Sequence, residues 1–365
     1  MLVLSADLGE GHASAARALF TELTDSPSAP EVVIEDGLVG LGPLLRAVIR
    51  DGSLFQFRRM PWVFGVVYWV LMQPTRRLVH AVLYLLGARN LLRLIAAHDP
   101  DVVVSTYPGI NPVLGRLRRR GRLNTPVCTT ILDMASLEFW VHPGVDLHLV
   151  MYPHSSPTVK RLAGSAGVES VRPLIAAPFY AERSRTRARR ALDLPETGHL
   201  VVVTGGGWGI GDLDGAAKCA LSLPETTVVC VAGRNETARL QMEAMFASQP
   251  RAQILGFTDR MSELVVAADV IVHPGGGVTC LEALVTGRPS IVYKPPPGHW
   301  RANASAMRRL GFAQVADSPA ELAVALERAM RAGELNERTW PTAGAGAAVL
   351  AWAGMSSSQV SRDAG

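Results

Sequence analysis

The stretch 269-DVIVHPGGGVTCLEAL-284 places a short apolar run directly before three glycines and a helical pattern. An apolar run without polar alternation is typical of a parallel strand that is buried on both faces. A glycine-rich turn into a helix leaves backbone N–H groups at the helix N-terminus, where they and the helix dipole stabilise a phosphate. This stretch therefore predicts one strand–helix unit of a parallel sheet, with an anion site at its turn.

The same design recurs along the chain. The stretch 201-VVVTGGGWG-209 again leads a buried run into glycines and a helix. Strand–helix alternation of this kind indicates doubly wound α/β sheets. Apolar runs predict strands at residues 2–6, 32–35, 102–105, 127–132, 147–151, 200–204, 228–232, 253–256, 270–273 and 290–293.

A proline-rich segment divides the two sets of strands. The stretch 172-RPLIAAP-178 is followed by a charged run, a composition typical of a linker. The chain of 365 residues is long enough for two domains. We therefore expect two Rossmann-like domains over residues 1–177 and 178–335, and then a C-terminal helix and a disordered tail over residues 336–365.

Composition limits the class of protein and its compartment. The chain is 48% hydrophobic and carries a net charge of +4, nearly all of its positive charge from arginine. This balance fits a folded α/β protein but does not choose between nucleic acid, anionic lipid and phosphorylated ligands. The four cysteines have no CxxC spacing, which indicates a reducing compartment. The longest uncharged run, residues 60–75, is shorter than the roughly 20 residues of a membrane span, so we expect a cytosolic chain.

Glu282 lies in the second turn of the predicted helix, among apolar neighbours. A partly buried carboxylate needs a polar partner, and the two hydroxyls of a ribose would provide one. Two glycine-rich turns and this carboxylate at a common sheet edge indicate a bound nucleotide diphosphate. The alternative is that the glycines serve close packing only.

Several short motifs occur in an order that is similar to a known family. They are 9-GEGH-12, 132-LDM-134, 140-WVHPGVD-146, 232-AGRN-235, 256-GFTDRM-261, 273-HPGGGVTCLEAL-284 and 297-PGHWRAN-303. Together they resemble glycosyltransferase family 28, in particular its monogalactosyldiacylglycerol synthases and processive diacylglycerol glucosyltransferases. The resemblance covers about residues 1–330. It implies the GT-B fold, in which two Rossmann-like domains face a central cleft.

The resemblance implies a UDP-sugar as co-substrate, no further cofactor, and a donor site in the C-terminal half. Relatives commonly carry Gly-Gln-Glu where this chain has Gly298-His299-Trp300, so the motif does not identify the sugar. A helix cap is an equal alternative for Arg234. The implied donor-binding residues are Gly206, Gly207, Arg234, Phe257, Met261, Gly276, Gly277, Thr279, Glu282, His299, Trp300 and Asn303.

His12 stands between glycines directly after the first predicted strand. The positive end of a helix dipole disfavours the charged imidazole, so a histidine there stays neutral and can accept a proton. The resemblance implies that Asp133 is a base, with the histidine near it. We expect the two to act together and leave open which takes the proton. A local cap for His12 and a turn role for Asp133 are the alternatives.

Residues 41–94 interleave arginines with aromatic and aliphatic side chains, a composition that suits an anionic membrane surface. The alternative is buried core helices with solvated arginines. No nucleic-acid motif is present, so we expect no nucleic-acid partner. The residues expected on the acceptor side are Trp62, Trp69, Trp140 and His142.

The motif 212-DLD-214 resembles a metal-binding DxD motif but opens a predicted helix, where acidic residues are favoured, so we expect no metal. The expected function is inverting transfer of a hexose from a UDP-sugar to a membrane lipid, with diacylglycerol as the leading acceptor. We expect a cytoplasmic protein bound peripherally to the inner face of the cell membrane. The alternatives are a polyprenyl-linked or small hydrophobic acceptor, or a nucleotide-binding protein without transferase activity.

Overall fold

The computed structural model describes residues 1–27, 29–72, 75–181, 184–335 and 338–363. For residues 54, 57–59, 61, 64, 71, 72 and 355–363 it describes the backbone only. The chain divides into two compact units. Unit 1 contains Met1–Leu8, His12–Leu174 and the segment from Trp340 onward, and unit 2 contains Gly9–Gly11 and Ile175–Thr339.

Unit 1 is built on a six-stranded sheet whose neighbouring strands are all parallel. The strand order is β2-β1-β3-β4-β5-β6, so Leu2 of β1 pairs with Val33 on one side and with Val103 on the other. The order reverses between β1 and β3, which is where ligands bind in open α/β sheets. The strands are β1 Leu2–Ser5, β2 Val33–Asp36, β3 Val103–Ser105, β4 Val127–Ile131, β5 Leu147–Val150 and β6 Gly167–Ser170.

Helices connect these strands and cover the sheet. The core contains fully buried side chains from β1 and from helix α6, among them Leu2, Leu4 and Leu91. The helices are α1 Glu10–Thr24, α2 Gly37–Leu41, α3 Pro43–Arg46, α4 Gly52–Arg59, α5 Pro61–Met72, α6 Arg76–His98, α7 Asn111–Arg119, α8 Leu137–Trp140 and α9 Ser156–Ala163. A π-helical turn, Ala47–Asp51, joins α3 to α4.

Unit 2 has a second parallel sheet of six strands, in the order β12-β11-β10-β7-β8-β9. Its order reverses between β7 and β10, and both glycine-rich turns follow these two strands. The strands are β7 His199–Thr204, β8 Thr226–Val231, β9 Ala252–Leu255, β10 Val270–His273, β11 Ser290–Tyr293 and β12 Gln314–Ala316. The helices are α10 Arg185–Ala191, α11 Leu213–Leu221, α12 Glu236–Met245, α13 Met261–Ala267, α14 Gly277–Val285, α15 His299–Arg309 and α16 Pro319–Ala332.

The predicted fold class is confirmed, since both sheets are parallel and carry flanking helices. All ten predicted strands are present, with boundaries that differ by at most two residues. Two further strands, β6 and β12, were missed. They are short edge strands, and β6 alternates exposed with half-buried positions, so neither contains a continuous apolar run.

A C-terminal helix, α17, spans Ala345–Asp363. The segment that leads into α17 also groups with unit 1. Its anchor is Glu22 of α1, whose carboxylate accepts hydrogen bonds from Gly346 N at 2.8 Å and from the Arg172 guanidinium at 2.9 Å. A Cβ at position 346 would lie 2.8 Å from Glu22 Cβ, so glycine permits this close approach.

Helix α6 is the one helix in the described parts of the chain that is long and apolar enough to cross a membrane, by length and composition alone. One third of its most apolar 18-residue window is buried inside the protein. Core helices of soluble proteins pass the same test. The longest uncharged run of the sequence, residues 60–75, corresponds mainly to α5.

Candidate functional site

His12 is held at the edge of the unit 1 sheet where the strand order reverses. Its Nδ1 lies 2.8 Å from the carbonyl oxygen of Thr106, the residue after β3, and Thr106 Oγ1 donates back to the His12 carbonyl. A carbonyl can only accept a hydrogen bond, so Nδ1 carries the proton. The lone pair of the neutral ring is therefore on Nε2.

Burial sets the protonation state of His12. Burial lowers the pKa of the imidazole below its usual 6.5, while the Asp133 charge and the Thr106 hydrogen bond oppose this shift. The net direction is downward, so His12 is neutral at pH 7 and able to accept a proton. From the sequence we expect a neutral histidine because of the helix dipole. In the structure, burial is the first cause of the lowered His12 pKa.

Asp133 lies in the loop between β4 and α8, and its Oδ2 accepts a hydrogen bond of 3.0 Å from the Trp140 indole. The Trp140 ring is 5.8 Å from the His12 ring, and the Tyr107 ring meets His12 edge-on at 5.1 Å. The structure thus brings together the two residues that the sequence expected to act as one unit. Trp140 is only 1% exposed, so it orients Asp133 and offers an acceptor almost no surface.

Asn111 supports this arrangement and was missed by the sequence analysis. Its fully buried side chain donates to the Trp140 carbonyl oxygen at 2.7 Å and to Thr129 Oγ1 at 2.9 Å. The backbone of Trp140 is therefore fixed by Asn111 while its indole fixes Asp133. An asparagine at the start of a helix usually indicates a cap, so the sequence contains no separate signal for this role.

His142 packs between α7 and β5 among other neutral histidines. Its Nδ1 accepts a hydrogen bond of 3.0 Å from Gly144 N. Burial first, and then the neighbouring His80, lower its pKa to about 4. The pKa values of His80 and His148 are also lowered to about 4, mainly by burial. These contacts give His142 a packing role, and its contact with an acceptor stays a prediction.

Trp62 and Trp69 lie on an exposed apolar surface, being 68% and 62% exposed. This exposure excludes the alternative in which they belong to the protein core. We call six of the exposed apolar side chains of α5 and α6 the apolar stripe, namely Trp62, Val66, Trp69, Leu78, Val82 and Leu85. Arg58 and Arg59 are two of the arginines within residues 41–94, and their side chains lie outside the described residues.

In unit 2 the glycine turn after β7 needs positive φ angles, which residues with a side chain rarely adopt. Gly206 and Gly209 have φ of +64° and +60°, and Gly206 N donates to Thr204 Oγ1 at 3.1 Å. Arg234 N donates to the Gly207 carbonyl at 2.8 Å, so the next strand–helix turn supports this one. The turn therefore keeps a fixed shape without side chains that would obstruct a ligand.

The turn after β10 has the same construction. Gly275 has φ of +109°, and its N–H donates to His273 Nδ1 at 3.1 Å. Helix α14 begins at Gly277, and no side chain caps it at Gly276 within the described part of the chain. Thr279 follows in its first turn and shares a face with Glu282, three residues later.

Glu282 is 8% exposed, and burial raises its pKa to about 8. Among the described residues no donor bonds its carboxylate. A carboxyl group in this state is ready to accept hydrogen bonds from a ligand. It lies one helical turn beyond the glycine turn, at the edge where the strand order reverses.

Arg234 and Phe257 form one exposed contact, with the guanidinium carbon 3.8 Å from the centre of the phenyl ring. The suggestion that Arg234 caps a helix is wrong, because Asn235 caps α12 by accepting a hydrogen bond from Ala238 N. Met261 begins α13 directly after the Phe257 loop. These residues lie beyond the carboxyl ends of β8 and β9, on the same sheet edge as the glycine turns.

His299 and Trp300 begin α15 and stack with their ring centres 3.6 Å apart. A Cβ at Gly275 would lie 3.1 Å from the Trp300 carbonyl, so the start of α15 packs against the β10 turn. Asn303, one turn later, is buried. The structure therefore places these residues beside the turn with which the sequence grouped them.

Asp212 caps α11 by accepting from Gly215 N at 3.0 Å, as its position predicted, and it also binds Lys294 at 2.6 Å. Asp214 pairs with Lys218. The described residues contain no group of three or more potential metal ligands. Both carboxylates of the DxD motif thus have partners within the protein.

In the comparison with known proteins, two family models match two separate parts of the chain. The model of the monogalactosyldiacylglycerol (MGDG) synthase family matches residues 12–171, and the model of the glycosyltransferase family 28 C-terminal domain matches residues 200–345. The chain belongs to glycosyltransferase family 28.

This family 28 protein is 23% identical to a processive diacylglycerol beta-glucosyltransferase of Bacillus licheniformis over 325 residues, which cover 88% of this chain and 84% of the relative. A solved spinosyn rhamnosyltransferase has a TM-score of 0.59 at 18% identity and 91% coverage of both chains. MurG of Acinetobacter baumannii has a TM-score of 0.52 at 15% identity, covering 92% of this chain and 96% of its own. At these identities the solved structures show the fold alone, which is that of GT-B glycosyltransferases.

We predict that His12 of this family 28 protein titrates below pH 6.5, because its buried imidazolium is disfavoured. Asp133→Asn should lower the pKa further, since it removes the charge that favours the imidazolium. NMR of ring-labelled histidine would measure both values and would also show the proton on Nδ1. Asp214→Asn, which lies in unit 2, is the control and should leave His12 unchanged. A His12 pKa at or above 6.5 would contradict the assignment.

Proposed function

We propose that this family 28 glycosyltransferase moves a hexosyl group from a UDP-sugar to diacylglycerol in a membrane, with inversion at the anomeric carbon. The observation that carries the proposal is the neutral His12 beside Asp133 at the ligand edge of the unit 1 sheet. The relative named as a processive diacylglycerol beta-glucosyltransferase supports the choice of acceptor. The two glycine turns of unit 2 support a nucleotide diphosphate as donor.

Transfer begins when the base takes the proton of the acceptor hydroxyl. The hydroxyl oxygen attacks the anomeric carbon as the bond from that carbon to the UDP oxygen breaks, and UDP leaves with the bonding electrons. His12 Nε2 has the free lone pair, and Asp133 stabilises the imidazolium that forms. Direct proton transfer to Asp133 is the alternative within the same unit.

Unit 2 would hold the donor and stabilise the charge of the leaving UDP. The turns at Gly207 and Gly276 would offer backbone N–H groups and, at α14, the positive end of a helix dipole. Glu282 would accept hydrogen bonds from the ribose hydroxyls, and the Phe257 loop would contact the uracil. His299, Trp300 and Asn303 would contact the sugar.

The leaving group would need no metal ion under this proposal. Asp212 and Asp214 have protein partners, and the Asp212 carboxylate both caps α11 and binds Lys294. Replacing those contacts with a cation would release the helix cap. Backbone donors at the two glycine turns would then be the principal stabilisation of the diphosphate.

The apolar stripe would dock on the membrane that contains the acceptor. Leu85 is followed on the same face of α6 by Arg89 and Arg93 at four-residue spacing. Neither arginine is paired with a carboxylate among the described residues. Aromatic and aliphatic side chains would enter the interface, and the guanidinium groups would attract anionic headgroups, which fits a peripheral protein on the cytoplasmic face.

Purified protein mixed with diacylglycerol liposomes and a panel of UDP-sugars should form a glycolipid that mass spectrometry detects, with and without EDTA. Asp133→Asn should lower turnover about 100-fold or more through loss of the base unit, and His12→Ala similarly. Asp214→Asn is the matched control. Transfer to a polyprenyl phosphate in place of diacylglycerol would favour the second acceptor. UDP binding without turnover of any UDP-sugar would reject transferase activity.

We predict that UDP binding at pH 7 releases about one proton. Glu282 has a pKa of about 8 in the free protein and is mostly protonated at pH 7. Hydrogen bonds from ribose favour the ionised carboxylate and lower this pKa, so the proton leaves. Calorimetry in buffers of different ionisation enthalpy measures this release.

Glu282→Gln should abolish the proton release and weaken UDP binding about tenfold or more. Glu327→Gln, on the exposed face of α16, is the control and should keep both. Unchanged affinity and unchanged proton release in folded Glu282→Gln would remove Glu282 from the ribose site.

We predict that Arg89→Glu with Arg93→Glu weakens binding to vesicles that contain anionic lipid by about tenfold or more. Each basic residue near such a surface contributes about 1 kcal/mol, which salt screens. Binding to neutral vesicles should change little, whereas Trp62→Ala and Trp69→Ala should weaken both. The control, Arg328→Glu with Arg331→Glu, makes the same charge change on α16 of unit 2. If both double variants sediment equally with anionic vesicles, the apolar stripe and its arginines are not the docking surface.

A further inference from the structure

We infer that Tyr68 is a positioning residue that couples the membrane-facing helix α5 to the loop of Asp133. The inference rests on the proposed function, since it concerns transfer to a lipid in a bilayer. Its basis is the hydrogen bond between the Tyr68 hydroxyl and Ser136 Oγ, which joins α5 to the segment between β4 and α8. All of these elements belong to unit 1.

Helix α5 has two functional sides. On one side, Trp62, Val66 and Trp69 follow one another at spacings of four and three residues. They are the part of the apolar stripe that α5 contributes. Tyr68 is about 120° away around the helix from Trp62, by helical geometry, and is half-buried. The side that would meet lipid and the side that contacts the Asp133 loop are thus parts of one short rigid element.

The loop that receives this contact is short and strained. Only five residues separate the end of β4 from the start of α8, and Ser136, the last of them, has φ of +58°. A non-glycine residue in this left-handed region costs free energy that its surroundings must offset. The Tyr68 hydrogen bond is one such contact. It acts three residues from Asp133, whose carboxylate is also held by Trp140.

Electrostatics keeps Tyr68 in the form that can donate. Burial raises the pKa of its phenol, and the nearby carboxylates of Asp133 and Glu138 add to this direction. The hydroxyl therefore remains protonated at the pH of transfer and can bond Ser136. A neutral hydroxyl at this place positions the loop without placing a charge beside the base.

The consequence is that docking of α5 affects the geometry of Asp133. A bilayer that contacts the apolar stripe fixes the position of α5, and the Tyr68–Ser136 bond transmits that position to the loop. Sugar transfer to an acceptor in a bilayer is then faster than sugar transfer to the same acceptor dispersed in water. This advantage is specific to kcat, because the donor site of unit 2 is not involved.

The test compares Tyr68→Phe, Ser136→Ala and their double variant with the control Tyr84→Phe. Tyr84 is another helical tyrosine of unit 1, whose hydroxyl is bonded by Arg122 away from the Asp133 loop. Turnover is measured on diacylglycerol in anionic vesicles and on a short-chain diacylglycerol below its aggregation limit. Vesicle binding, KM for the UDP-sugar and the melting temperature are measured for every variant.

We expect wild type and Tyr84→Phe to turn over the vesicle acceptor at least tenfold faster than the dispersed one. Tyr68→Phe should lose most of this ratio through kcat, with unchanged vesicle binding and unchanged KM for the donor. Ser136→Ala should do the same, and the double variant should be no worse than either, because both remove one bond. This pattern would not follow from a fall in stability alone.

A wild-type ratio retained in both single variants overturns the inference and leaves the proposed function intact. Wild-type protein that transfers nothing to either acceptor overturns the proposed function, and the inference with it. A fall of the melting temperature in Tyr68→Phe that Ser136→Ala does not share, with the ratio lost in Tyr68→Phe only, assigns Tyr68 a structural role and also overturns the inference.

Discussion

Parallel pairing of β1 with β3 and of β7 with β10 is the constraint on which the rest of the structure depends. Parallel strands all end at the same sheet edge, and the order of strands reverses at these two pairs. The segments that follow them are therefore the ones free to meet a ligand. His12 and Thr106 come from the first pair, and the two glycine-rich turns come from the second.

Burial then acts in opposite directions on the two ionisable groups at these edges. It lowers the pKa of His12 and raises the pKa of Glu282, so both are neutral at pH 7 in the free protein. For Glu282 the raised folded pKa means that its contribution to stability is greatest at low pH and is lost as pH rises towards about 8. Each group thus retains a capacity for a proton or a hydrogen bond that the fold itself does not use.

The sequence predicted those features that depend on local pattern. Buried parallel strands have continuous apolar runs, and glycine turns can be read directly from the sequence, so the two sheets and the two glycine turns of unit 2 were located correctly. Features that depend on contacts between distant segments were not predicted. In the sequence Asn111 resembles a helix cap, and nothing in the residues around Tyr68 predicts its hydrogen bond to Ser136. The fold of the C-terminal segment depends on Glu22, more than 300 residues earlier.

The same distinction separates recognition of a nucleotide diphosphate from recognition of its sugar. Diphosphate binding at a glycine turn uses backbone groups, which tolerate replacement of neighbouring side chains as long as the turn keeps its φ angles. Sugar hydroxyls are distinguished by side chains, and here the start of α15 presents a stacked imidazole and indole. Such a pair offers an aromatic face without a carboxylate, so under the proposed function it would select a sugar by shape and apolar contact more than by charge. Under the proposed function the backbone would thus determine the class of donor, and His299 and Trp300 would determine which member of that class fits.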